Sequence, residues 1–211
     1  MNKRKIKIGI IDLGSNNIYS ICNALKLQGY NITILKKKFN YKLYDAIILP
    51  GVGSFNYAMN KIINNKLIEP IQKFSSIKNR LLFGICLGMQ LFFEQSEEFV
   101  NTEGLAILSG KVKMLPKNKN NIIPNMGWHN LEIQHKNILL NNVKINSKFY
   151  FVHSYYCLPK NKKIISSYSK FYSFKYCSSI MSNNIFGTQF HPEKSSIYGL
   201  RILSNINKFF K

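Results

Sequence analysis

Acidic residues are scarce in this chain. Nine Asp and Glu stand against thirty Lys and Arg over 211 residues, a formal net charge of +21. Such a balance raises a nucleic-acid or anionic-membrane surface as one reading. The lysines, however, are scattered in ones and twos, Lys36-Lys37-Lys38 is the longest run, and they share no motif with the aromatics. They are read as solvated faces, with weak, salt-sensitive polyanion binding and no specific nucleic-acid partner. Cysteine is also sparse: Cys22, Cys86, Cys157 and Cys177 show no CxxC spacing. That excludes a small disulfide framework and points to a reducing, cytoplasmic setting. No apolar run approaches the ~18 residues of a membrane span, so a soluble protein with no membrane partner is expected. Met1–Lys5 has the charge of a signal n-region, but the apolar stretch after it is broken by Lys7 and ends at Asp12, as a first strand would. No His, Cys, Asp or Glu cluster has metal-ligand spacing, and no metal or cofactor is predicted.

The length suits one domain, 1–211. Its first half alternates strand and helix: strands over Ile6–Ile11, Asn31–Leu35, Ala46–Leu49 and Leu81–Ile85, and helical spacing from Ile18 to Leu27, near Phe55–Ile63 and near Leu67–Ile77. That alternation predicts an α/β fold with a doubly wound, mostly parallel sheet, flanking helices, and chemistry at the carboxyl ends of the strands. From about residue 105 the pattern turns β-rich, with pieces at Ala106–Leu115, Asn130–Gln134, Phe149–His153, Lys163–Ser167, Ser179–Ser182 and Phe186–Gln189. A last helix, Tyr198–Phe210, would bury Leu200, Ile202, Leu203, Ile206 and Phe209.

The most informative segment is Gly84-Ile85-Cys86-Leu87-Gly88, between the apolar run Leu81–Phe83 and the helical-looking Met89–Phe93. A nucleophile on a sharp strand-to-helix turn needs small flanking residues. A helix N-terminus beneath the sulfur favours thiolate over thiol. A cysteine nucleophile needs a base, and His191 in Gln189-Phe190-His191-Pro192-Glu193 is the best candidate. On an extended backbone His191 and Glu193 point to the same side, so the carboxylate can orient the imidazole. Backbone N–H groups of Leu87 and of the Pro50-Gly51-Val52-Gly53 turn are candidate oxyanion donors. That turn lacks the spacing of a dinucleotide loop and the Lys-Ser/Thr of a phosphate loop. His129 and His135 are read as solvent-facing. His153 is either pocket-lining or a satisfied core residue. Cys22, Cys157 and Cys177 are read as fillers of the core or of its edge.

Gly84-Ile85-Cys86-Leu87-Gly88-Met89-Gln90-Leu91 with Gln189–Ser195 resembles the triad-type glutamine amidotransferases. Pro50–Phe55, Met126-Gly127-Trp128 and Tyr150–Tyr155 narrow the resemblance to the glutaminase subunits of imidazole glycerol phosphate synthase. It runs nearly end to end. It implies glutamine hydrolysis through a Cys86 thioester, with ammonia passed to a (β/α)8 cyclase partner in histidine biosynthesis. On this resemblance Gln90 and Glu98 would hold glutamine, with the backbone around His153, Ser154 and Tyr155. Gly53 and Leu87 would be the oxyanion donors, and Asn17, Tyr150 and Lys194 would lie at the partner interface. Three positions depart from the family pattern: Asn16, where a second glycine is usual, and Asn125 and His129, where His and Asn are more frequent. Two rival readings remain open at this level. One is the glutaminase of an anthranilate- or GMP-synthase-type amidotransferase; the other is a basic polyanion-binding module with a relic triad.

Overall fold

A computed structural model describes residues 4–14, 18–117, 119, 121–135, 137–144 and 146–211. In chain order the elements are β1 (Lys7–Ile11), α1 (Ile18–Leu27), β2 (Asn31–Leu35), β3 (Ala46–Gly51), α2 (Phe55–Asn64), α3 (Ile68–Ser75), β4 (Leu81–Cys86) and α4 (Leu87–Gln90). There follow β5 (Phe93–Ser96), β6 (Thr102–Glu103), β7 (Leu108–Met114), β8 (Asn125–Asn130), β9 (Glu132–Ile133), β10 (Lys148–His153) and β11 (Tyr155–Pro159). The chain ends with β12 (Ile165–Phe171), β13 (Phe174–Ser182), β14 (Ile185–Thr188) and α5 (Ser196–Phe209).

An eight-stranded sheet in the order β2-β1-β3-β4-β14-β13-β12-β9 forms the centre. The neighbours from β2 to β14 run parallel, and β13, β12 and β9 continue antiparallel. β3 and β4 are buried along their whole length, as expected where helices cover both faces of a parallel sheet. Alternate residues serve two cores. Ala46, Ile48, Leu81 and Phe83 face the α1 and α5 side, where Ile21, Leu25, Ile202 and Ile206 lie. Ile47, Leu49 and Leu82 face the α2 and α3 side with Phe55, Ile62, Ile71 and Phe74. A four-stranded sheet, β11-β7-β5-β6, packs on the second core through Phe93, Val112 and Cys157. The two-stranded ribbon β8–β10 packs on the first through Phe149 and Phe151. No helix among the described residues is long and apolar enough to cross a membrane.

The doubly wound, mostly parallel sheet expected from the alternation is present, with the β-rich second half attached to its edge. Three local expectations are corrected. The helix foreseen over Met89–Phe93 is a single turn, Leu87–Gln90, and Phe93 already begins β5. The Asn130–Gln134 piece is the two-residue β9, because Asn130 belongs to β8. In α5, Gly199 and Asn205 are buried where Leu200 and Phe209 are half-exposed. Asn205 is accommodated by donating its amide to the carbonyls of Leu139 and Asn141, at 3.0 and 2.7 Å.

Candidate active site

Three adjacent parallel strands end at one place. In the sheet register Gly51 of β3 lies beside Cys86 of β4, and Thr188 of β14 lies beside Ile85. The carboxyl ends of these strands therefore deliver the glycine turn, the cysteine and the Gln189–Glu193 segment to a single crevice, where a doubly wound sheet places its chemistry. Cys86 adopts φ +55°, ψ −111°, a strained conformation for a non-glycine residue. Its flanking glycines are required by contact. A Cβ on Gly84 would come within 2.7 Å of the Gly88 carbonyl, and a Cβ on Gly88 would overlap the Leu49 carbonyl oxygen of β3. α4 is thus pressed against β3 with no room for a side chain at either flanking glycine.

Behind the cysteine, His191 Nδ1 lies 2.9 Å from Glu193 Oε1, both side chains almost fully buried. The expectation that this pair meets along an extended strand is corrected: Pro192–Lys194 forms a 3₁₀ turn that starts from an extended His191. Backbone bonds fix the segment, with His191 N–H donating to the Tyr150 carbonyl at 3.0 Å and Lys194 N–H to the His191 carbonyl at 3.1 Å. Burial pushes the His191 pKa down, but Cys86, by charge attraction and hydrogen bonding, and Glu193 outweigh it, so the ring titrates well above its usual range. Nδ1 is occupied by Glu193, so Nε2, buried and without any well-aligned partner, is the ring atom left for Cys86.

In front of the cysteine lies a cavity of about 250 Å³ lined by Val52, Gly53, Cys86, Leu87, Gln90, Glu98, Pro124, Val152, His153, Ser154 and Tyr155. Every residue expected at the substrate and oxyanion positions is on this wall. Glu98 is anchored by the Phe55 N–H at 2.6 Å, the first residue of α2, and burial raises its pKa despite that bond. Gln90 Nε2 donates to the Tyr155 carbonyl at 3.0 Å. Gly53 has φ +101° and nothing within 4 Å of a built Cβ, an open turn at the cavity rim. His153 satisfies both of its open descriptions. It lines the cavity, and its ring is fully paired, with Nδ1 2.8 Å from the Tyr155 carbonyl and Nε2 2.9 Å from Asn125 Nδ2. Desolvation lowers its pKa to about 3, so the ring is neutral and Asn125 donates to it.

Tyr150 and Lys194 meet beside this site. The Lys194 ammonium lies 6.0 Å from the Tyr150 ring centroid, and that ring packs edge-on against Trp128. Trp128 and Met126 remain largely exposed on the same ribbon. Asn17, and the departure at Asn16, lie outside the described residues. His129 corrects the solvent-facing expectation: it is half-buried and stacks edge-on against Phe151, while His135 is exposed. Cys157 and Cys177 are core residues whose thiol pKa values are raised by burial.

Sequence reasoning missed Gln189, which is completely buried and donates to Cys86 Sγ at 3.6 Å. The only signal was proximity in sequence, since Gln189 lies two residues before His191, and the chain bends at Gln189 and Phe190 just past β14. It also missed the Val152 carbonyl, 3.8 Å from Sγ, which no side-chain pattern encodes.

Residues 9–207 match the family described as glutamine amidotransferase class-I. Among curated relatives, the imidazole glycerol phosphate synthase subunit HisH of Caldanaerobacter subterraneus is 42% identical, covering 97% of this chain and 98% of its own length. The same subunit of Pyrococcus furiosus is 41% identical, covering 96% and 98% respectively. Among solved structures, PurLQS from Thermotoga maritima superposes with a TM-score of 0.74 at 17% identity, over 99% of this chain and 100% of its own. A glutamine amidotransferase from the same organism gives 0.70 at 12%, over 99% and 100%. At such identities the two structures speak for the fold alone.

Proposed function

We propose a mechanism from one premise: the chain belongs to the class-I glutamine amidotransferases, and within them to the HisH subunits of imidazole glycerol phosphate synthase. It is a glutamine amidotransferase enzyme of histidine biosynthesis. On our reading Cys86 is the nucleophile, His191 the general base and acid, and Glu193 the group that holds the imidazole tautomer and stabilises its protonated form. Glutamine enters the 250 Å³ cavity, its ammonium beside Glu98 and its side chain running past Gln90 toward the sulfur. The Cys86 thiolate attacks the carboxamide carbon. The oxygen of the tetrahedral adduct takes hydrogen bonds from the Leu87 and Gly53 backbone N–H groups. His191 gives its proton to the departing nitrogen, ammonia leaves, and a glutamyl thioester remains. Water, deprotonated by His191, then cleaves the thioester to glutamate and regenerates the thiol.

The observation that carries this reading is the convergence at the ends of β3, β4 and β14. A strained cysteine, a buried His–Glu pair and a cavity of amino-acid size meet there in a chain about 40% identical to HisH subunits over nearly all of its length. Ammonia passes, on the same reading, to a (β/α)8 cyclase seated on the face of Met126, Trp128, Tyr150 and Lys194. The open Gly53 turn is the element that partner would set, because a glycine with positive φ and free space can turn its peptide plane at low cost. The test is the complex with a cyclase. Cys86→Ala should abolish glutamine-dependent synthesis and spare ammonia-dependent synthesis; loss of both would make Cys86 a structural residue. Glutamate release that is high only with the cyclase and its bound substrate would support the coupling.

A further inference from the structure

Gln189 is fully buried at the end of β14, beside the cysteine strand, and its N–H is tied to the Ser178 carbonyl at 2.9 Å. Its carboxamide stands between two groups of the site. Gln90 Nε2 lies 3.2 Å from Gln189 Oε1, and Gln189 Nε2 lies 3.6 Å from Cys86 Sγ. The orientation of this amide is forced by its neighbours. The Tyr155 carbonyl can only accept, so the end of Gln90 that meets it, 3.0 Å away, carries the N–H₂. That same N–H₂ meets Gln189, which must therefore present its oxygen to Gln90 and its own N–H₂ to the sulfur.

We propose that Gln189 is a positioning residue for glutamine hydrolysis, donating to Cys86 Sγ while its oxygen holds Gln90 against the cavity wall. The proposal rests on the role given to Cys86 above. A donor aimed at sulfur supports the thiolate more than the thiol, whose own proton is directed to the Val152 carbonyl. The link to Gln90 makes one rigid unit of the nucleophile and the substrate wall. It continues through the Tyr155 carbonyl to His153, Asn125 and the Tyr176 hydroxyl. The titratable groups around the sulfur are His191, Cys157 and Tyr176, with His153 and Glu98 across the cavity.

The test uses the full chain, with iodoacetamide as the probe and peptide mass mapping to read Cys86 alone, and the cyclase complex for turnover. Gln189→Glu keeps the shape and the acceptor for Gln90 and, once ionised, sets a negative charge where the donor stood; Gln189→Met loses donor and acceptor and adds no charge. In each variant that keeps the wild-type circular dichroism, the alkylation profile of Cys86 should move upward by roughly one pH unit, about tenfold slower at neutral pH. In Gln189→Glu, kcat should fall with little change in the KM for glutamine, whereas in Gln189→Met KM should rise as well. Folded variants that alkylate along the wild-type profile with wild-type kcat and KM would overturn the proposal while leaving the proposed function intact. A wild-type complex that releases no glutamate would overturn both.

Discussion

Replacing Gly88 by alanine adds one methyl group at the glycine with least room. The new Cβ would overlap the Leu49 carbonyl oxygen and stand 2.7 Å from its carbon, both backbone atoms in the middle of the sheet. Neither can swing aside, so α4 must lift from β3 by about 2 Å to restore ordinary contact. Overpacking of this kind costs about 1–3 kcal/mol. For a chain of this size that lowers Tm by roughly 2–12 °C. The displacement falls on the residues following Cys86, and an error of about 1 Å in an attacking group costs on the order of 10²-fold in rate. Gly53→Ala is the control: its positive φ makes alanine cost about 1–2 kcal/mol, with no clash, since nothing lies within 4 Å. The assays are thermal unfolding by circular dichroism and glutamate release in the cyclase complex. Gly88→Ala with wild-type Tm and wild-type turnover would refute the argument that the elbow is set by contact with β3.

Other perturbations follow from the same geometry. His191 is held above its usual pKa, so its contribution to stability is complete below about pH 6.5 and is lost as pH rises through the raised value. Cys86→Ala removes the attraction that opposes burial, and ¹⁵N NMR should find the ring titrating lower than in the wild type; an unchanged midpoint would show that Glu193 alone sets it. Glu98→Gln should raise the KM for glutamine about 10–100-fold with kcat nearly unchanged. In the wild type, KM should climb as pH falls through the burial-raised pKa of Glu98, which is read from initial rates across pH. Asn125→Ala strips hydrogen bonds from the buried His153 ring and the Tyr176 hydroxyl and should cost about 1–3 kcal/mol, measured by denaturant unfolding; a loss below experimental error would mean these groups find other partners.

The first half of the fold was legible because β3 and β4 are continuous apolar runs and α1 and α2 repeat at helical spacing, so local pattern and burial agree. Asn31–Leu35 and Ile18–Leu27 match the sequence reading residue for residue. The second half was read less well, because its strands pair over long distances and several carry few apolar residues. β8, Asn-Met-Gly-Trp-His-Asn, gives no alternation that announces a strand and exists through its register with β10. The one-turn α4 was overread as a longer helix because Leu91, Phe92 and Phe93 are apolar at any spacing, and their burial under the four-stranded sheet decides instead. At the site, side chains with a chemical signature were easy to nominate. Groups whose part depends on orientation, Gln189 and the backbone carbonyls of Val152 and Tyr155, emerge only from coordinates.

The cysteine strand and the strand that delivers the histidine are direct neighbours in the sheet, with Leu82 opposite Ile185 and Ile85 opposite Thr188, yet about a hundred residues separate them along the chain. Closing so long a loop costs chain entropy before the pairing can offset it. On the proposed mechanism, a polypeptide in which that pairing has not formed holds the Cys86 thiol without the His191 imidazole and should leave glutamine unhydrolysed. On the same reading, hydrolysis waits until the last two strands of the parallel row have zipped together.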